Sequence, residues 1–225
     1  MKVLGFSGSP IKNSNTDRVI LEVLKATGLK YEFIKLADYK IEPCKACLGC
    51  VKTNECVIKD DGIKLAKKVK EADAIVIGGY TSYSSLDART KAFIERLYPL
   101  RHNFGFMAGK VGAAVITSAV PEENKMLPPA AEMGVNSIMF YMMEEGMKFL
   151  GSVKVLGNVP CVSCRVEEDC EVSGLKMIHG PDATIDSVGI KSFEEQETAI
   201  KGARELGEKI AQALKSKVNR EEYYV

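Results

Sequence analysis

A rhythm repeated along the chain constrains its fold most: a short, nearly apolar run, then a loop of small polar residues, then a stretch with helical spacing. Residues 2–6 (KVLGF), 74–77 (AIVI) and 111–117 (VGAAVIT) are the clearest runs. They are too short for helices and too continuous for a half-exposed sheet, so they predict strands covered on both faces. Residues 31–36 (YEFIKL) alternate as a second strand, and 152–156 (SVKVL) read as a fifth. Helical patterns fall between them. One begins at Asp17 and carries Val19, Ile20, Val23 and Leu24, and another is capped by Asp60 and Asp61 and runs to Lys70. A third spans about Asp87 to Arg101, and a last one Glu194 to Lys217. Strand and helix in alternation predict an α/β class, a doubly wound parallel sheet whose five strands are most economically ordered 2-1-3-4-5. The 225 residues suffice for one such domain over the whole chain.

Pro128 and Pro129 open an apolar pattern predicted to continue as a helix to about Leu150. Val135, Ile138, Met139, Met142, Met143, Met147 and Leu150 form one stripe, while Phe140, Tyr141 and Phe149 make other faces apolar too. A helix apolar most of the way round is buried, and at a domain surface that points to an oligomer interface.

In this topology the loops after strands one, three and four open at one carboxyl edge, where doubly wound sheets bind ligands at the switch in strand order. The first loop and the start of its helix offer Ser7, Ser9, Pro10, Lys12, Asn13, Ser14, Asn15 and Thr16. A helix N-terminus with hydroxyls and amides around it is a natural anion site. The loop lacks both GxGxxG and GxxxxGK[ST], so it suits a lone terminal phosphate such as that of FMN; capping and turn formation alone would also use these residues. The loop after strand three holds Gly79, Tyr80, Thr81, Ser82, Tyr83 and Ser84, which combine close backbone approach, small donors and aromatic faces. Thr117 and Ser118 end strand four. The three stretches are expected to converge on one flavin pocket.

The loop after strand two is the most specific signal. Cys44, Cys47 and Cys50 are spaced CxxCxxC, and Cys56 follows within the loop 43–60. Four thiolates in so compact a run suit the four iron corners of a [4Fe–4S] cluster. Zinc sites more often split their thiolates into two CxxC knuckles, and free or redox-active thiols are the remaining readings. A second block, Cys161, Cys164 and Cys170 with His179, lies in an irregular insertion at 157–192. A second metal, a redox pair and free thiols all stay open there. His102 and His179 read as structural or solvent-facing.

Charge narrows the partners. A net charge of +1 gives no field that would favour nucleic acid or an anionic membrane. No run approaches the ~20 apolar residues of a membrane span, and the N-terminal run is broken before it could serve as a signal segment. A cytoplasmic protein is expected, in which seven cysteines argue for metal or redox chemistry over disulfides.

The segment GSPIKNSNT at residues 8–16 and the compact four-cysteine motif together resemble the flavodoxin-like NADPH-dependent FMN reductases, specifically the iron–sulfur flavoproteins of anaerobic archaea and bacteria. The resemblance covers roughly residues 1–120. It implies a flavodoxin-like fold, FMN and one [4Fe–4S] cluster per chain, homodimers or homotetramers, and one-electron exchange with a ferredoxin-like partner. The chain departs from the family after strand three, where the family reads close to SPVYFGSVS. Here Tyr80 takes the Pro position and Ser82 the Tyr position.

Overall fold

The computed structural model describes residues 1–164, 166 and 170–222. Its sheet contains β1 (Lys2–Ser7), β2 (Lys30–Lys35), β3 (Ala74–Ser82), β5 (Val111–Ser118) and β6 (Lys148–Leu156), all parallel in the order β2-β1-β3-β5-β6. The short β4 (Ser85–Leu86) folds back antiparallel on the end of β3. Counting parallel strands alone, the order is the 2-1-3-4-5 that the alternation predicts. Helices α1 (Asn15–Ala26) and α8 (Glu197–Glu222) cover one face, while α2 (Asp61–Glu71), α3 (Ala88–Glu95) and α4 (Ala130–Glu144) cover the other.

Period-two alternation assigns each strand residue to a layer. Leu4, Phe6, Ile75, Ile77 and Ile116 face Leu65, Phe93, Ile138 and Met142. Val3, Ala74, Val76 and Val115 face Val19, Ile20, Val23, Ala203 and Ile210. Each large side chain so buried contributes about 1.5–3 kcal/mol. Gly5 lets α1 press on β1, since a Cβ there would meet Ile20 Cγ2 and Leu24 Cδ1 at 2.6 Å.

Several local expectations are corrected. The apolar pattern after Pro129 does not continue as a helix to Leu150: α4 ends at Glu144, Gly146 turns the chain at φ 70°, and Phe149 and Leu150 belong to β6. Apolar content cannot tell a buried helix from a buried strand there, and the left-handed glycine decides. Predicted helix up to Arg101 stops at Glu95, followed by a 3-10 turn at Tyr98–Leu100. Residues 79–85 are not simply a loop. β3 runs on to Ser82 and reverses through Tyr83 (φ 49°) and Ser84 (φ 57°), a two-residue hairpin. Among its described residues the segment 157–192 carries three short helices, α5 (Cys161–Cys164), α6 (Gly174–His179) and α7 (Ile185–Val188), around Val159, Leu175 and Ala183. Among the described residues no helix is long and apolar enough to cross a membrane.

Candidate cofactor sites

β1 ends at Ser7, and Gly8 N donates to Gly78 O at 2.8 Å, tying the first loop to β3. Ser14 caps α1: its Oγ accepts from Asp17 N, and Asp17 Oδ2 accepts from Ser14 N, each at 3.2 Å. The buried Asp17 also accepts from Ser7 Oγ and Lys35 Nζ at 2.5 Å, so the cap is locked to β1 and β2. Asn15 turns inward as well. Its Nδ2 donates to Leu156 O and Lys191 O, and its Oδ1 accepts from Phe193 N at 3.2 Å. Ser7 and Asn15 thus hold the edge together, whereas Pro10, Lys12 and Asn13 are exposed and Ser14 is half-buried around the helix N-terminus. Ser9 is buried, and its Oγ accepts from Ile11 N.

Thr16 Oγ1 lies 2.8 Å from Thr117 Oγ1, joining this loop to the end of β5. Ser118 is buried, and its Oγ accepts from Val120 N at 3.1 Å. The third contributor is the β3 end, pinned from beneath by Asp87, the cap of α3, which is 1% exposed. Asp87 accepts from Tyr80 N at 3.2 Å, Thr90 N at 2.9 Å and Thr90 Oγ1 at 2.7 Å. A Cβ on Gly79 would stand 2.7 Å from Asp87 Oδ2 and one on Gly8 1.8 Å from Thr90 Oγ1, so both glycines are sterically required. Burial, with the Asp87 carboxylate behind it, pushes the Tyr80 phenol up and keeps it a neutral donor. Thr81 and Ser82 pair with Leu86 and Ser85, while the Tyr83 side chain stands in solvent at the hairpin tip and Ser84 is half-buried beside it. The sequence reading passed over Arg89, whose Nη1 donates to Gly8 O at 3.2 Å and puts a cation beside the first loop.

The cysteine loop builds a second site. Cys44, Cys47, Cys50 and Cys56 all line one cavity of ≈ 650 Å³, whose other wall includes Tyr98, Arg101, Tyr141 and Glu145. Ala46 and Leu48 hold left-handed φ values of 50° and 56°, turning the chain twice within CxxCxxC. Cys50 is buried, Cys44 and Cys56 are half-buried, and Cys47 is exposed. Burial pushes the Cys50 thiol up, and Cys56, Cys44 and Cys47 add to the shift. Among the described residues no three His, Cys, Asp or Glu side chains are gathered as a single metal ion requires.

Arg96 anchors both ends of this loop. Fully buried, it donates to Glu42 O at 2.8 Å before the cysteines and Ile58 O at 3.3 Å after them. Asp60 receives it in a fork at 2.6 and 2.7 Å and also accepts from Glu42 N and Gly62 N. Burial opposes both charges, but the pair outweighs it: the Asp60 carboxyl is held below its usual range, and the Arg96 guanidinium is held more firmly charged, aided by Cys56. Asn54 Nδ2 fastens the middle of the loop to Pro99 O at 2.8 Å. His102, read from sequence as structural or solvent-facing, places Nε2 at 3.3 Å from Cys50 Sγ. Burial raises the Glu145 carboxyl, with Arg101 at 3.2 Å drawing it back.

The late cysteines are arranged differently. Cys161 and Cys164 bound α5, Cys161 Sγ is 4.0 Å from Ser173 Oγ, and residues 165 and 167–169 lie outside the described residues. His179 faces a pocket of only ≈ 10 Å³, where burial and then Lys191 hold its pKa down.

A parallel sheet in this order, with a polar loop leading into a helix at its switch point, defines the flavodoxin-like class. The structure of an archaeal flavodoxin shares the fold with a TM-score of 0.52 at 17% identity, over 96% of this chain and 99% of that one. The chain belongs to the NADPH-dependent FMN reductase family, whose sequence pattern matches residues 1–127, and within it to the iron–sulfur flavoproteins. It is 30% identical over 224 residues to an iron–sulfur flavoprotein of Archaeoglobus fulgidus, covering 97% of this chain and 98% of the relative. It is 40% identical over 122 residues to one of Methanocaldococcus jannaschii, a match spanning 53% of this chain and 63% of that relative's length.

Proposed function

We propose that this chain is a redox flavoprotein holding FMN at the sheet's switch point and a [4Fe–4S] cluster on Cys44, Cys47, Cys50 and Cys56. It exchanges electrons between a ferredoxin-like partner and a small-molecule or protein acceptor. The observation that carries the reading is that all four thiols line one cavity of ≈ 650 Å³, far more room than one ion needs. Names borne by the relatives in A. fulgidus and M. jannaschii support it. When bound, the cluster supplies one-electron transfer and the flavin one- or two-electron chemistry.

The chain's own residues bind, orient and exclude water. Ser9, Lys12, Asn13 and Ser14, with the first-turn amides of α1, suit the FMN phosphate. Gly79, Tyr80, Thr81, Ser82 and Thr117 offer the flavin ring close backbone approach and neutral donors. At the thiol cavity, Leu48, Val57 and Ile58 supply apolar wall, and the buried Arg96, paired with Asp60, ties down both ends of the loop. The outward Phe140 and Met143 of α4, 52% and 58% exposed, suit a homodimer or homotetramer contact in a cytoplasmic protein.

The test is metal, acid-labile sulfide and flavin content of anaerobically purified protein. About four iron and four sulfide per FMN are expected. Cys47→Ala should lose iron and keep FMN, and unchanged iron in that variant would overturn the cluster assignment. FMN without iron in the unaltered protein would leave an NAD(P)H-dependent FMN or quinone reductase with a structural cysteine loop. Zinc without flavin would leave a zinc-stabilised binding protein.

A further inference from the structure

Among the described residues three buried side-chain N or O atoms make no hydrogen bond: Arg18 Nε, Arg96 Nε and Tyr141 Oη. The first is 3.2 Å from Glu194 Oε1 in an ion pair. The other two come from separate elements, Arg96 directly after α3 and Tyr141 within α4, yet both residues line the same cavity as the four cysteines. A buried donor left unpaired costs about 1–3 kcal/mol. Two of them around one cavity call for an acceptor there.

Both groups are held as donors. Burial, reinforced by Glu145, raises the Tyr141 phenol far above the range where it would lose its proton. The other nitrogens of Arg96 are committed to Asp60, Glu42 O and Ile58 O, so Nε is the one left over. Gly62 makes this placement possible, because a Cβ there would stand 2.8 Å from Arg96 Nη2. The same cavity is lined by the four cysteines, and Cys56 helps hold the Arg96 guanidinium charged. Hydrogen bonds to the sulfurs of an iron–sulfur cluster help set its potential. Their sign is electrostatic: a donor stabilises the more negative, reduced state.

We infer that Arg96 Nε and Tyr141 Oη donate hydrogen bonds to sulfur atoms of the cluster carried by Cys44, Cys47, Cys50 and Cys56, and thereby raise its reduction potential. This rests on the cluster reading above. Both are positioning residues that set how readily the cluster accepts an electron.

Iron and sulfide content, the cluster potential followed by electron paramagnetic resonance, and the couplings of exchangeable deuterons to the reduced cluster test this in anaerobically purified holoprotein. Tyr141→Phe should keep full iron and FMN, lose one strongly coupled deuteron, and shift the one-electron equilibrium toward the oxidised cluster about 2- to 10-fold. The upper figure corresponds to ~59 mV. Arg96→Lys keeps the charge and removes Nε, so its potential should move in the same direction. Full iron with unchanged potential and couplings in Tyr141→Phe would overturn the inference, and that variant decides the matter if Arg96→Lys fails to hold the cluster. Unaltered protein without iron would overturn the cluster reading and the inference with it.

Discussion

Two regions of this molecule carry cysteines at CxxC spacing, and the fold treats them differently. The early loop is clamped at both ends by the buried Arg96–Asp60 pair, and its four thiols share a large cavity. The late segment packs on its own small apolar cluster around Leu175, and a pocket there, beside His179, has room for about one water. Spacing made both regions candidates. Among the described residues an open volume separates them, because a set of thiols that binds a group needs space for what it binds.

The largest contrast is expected in metal content. Cys50→Ala should abolish iron binding, whereas Cys161→Ala and Cys164→Ala should leave iron and sulfide per FMN unchanged. A proportionate iron loss in the late variants would erase the distinction between the regions.

Next comes the clamp. Asp60→Asn leaves Arg96 charged and uncompensated in the interior, so it should destabilise the protein by about 3–5 kcal/mol in urea unfolding. The sign with pH follows from the lowered Asp60 pKa. The pair's contribution is complete above the unfolded carboxylate value of about 3.9 and is lost as pH falls through the lower folded value. The unaltered protein should therefore lose stability in that acid range more steeply than the Asn variant. Parallel acid profiles would mean that the pair is energetically idle.

A smaller effect is expected from Leu175→Ala in the late segment, about 2 kcal/mol, since a satellite cluster can partly collapse around the gap. Its readout is lost amide protection at residues 174–188 with iron content intact. Smallest is the His179 effect. Its pKa is lowered, so the neutral form is favoured by the fold, and its contribution is complete above about 6.5 and lost as pH falls through the folded value. Late-segment protection should weaken over that interval while the cysteine loop is unaffected, and His179→Gln should remove the dependence.

Much of the architecture was legible along the chain. The continuous apolar runs at 74–77 and 111–117 can only be strands covered on both sides, and they are β3 and β5. Asp60, Asp87 and Ser14 cap helices where a short polar side chain precedes a helical pattern. Boundaries were less legible. Residues 145–150 are apolar in a way that suits helix or strand, and Tyr83-Ser84 lacks the glycine that usually marks a two-residue hairpin. At the candidate sites the cysteines and the small polar loops were visible by residue type, whereas Arg96, Arg89 and Tyr141 were not. Each of those reaches its site from a remote element, as Arg96 reaches Glu42 across 54 positions.

Sequence alone determined the kind of protein, because strand period, helix period and the CxxCxxC spacing are local and each follows from a few adjacent residues. Tertiary structure alone decided which cysteines share a cavity, which residues of other elements line it with them and which polar loop residues turn inward. Those depend on long-range packing that brings Arg96 from the end of α3 and Tyr141 from α4 to the cavity that the cysteine loop lines. Local pattern carries no record of such a meeting; only the folded chain, with its close-packed interior, determines it.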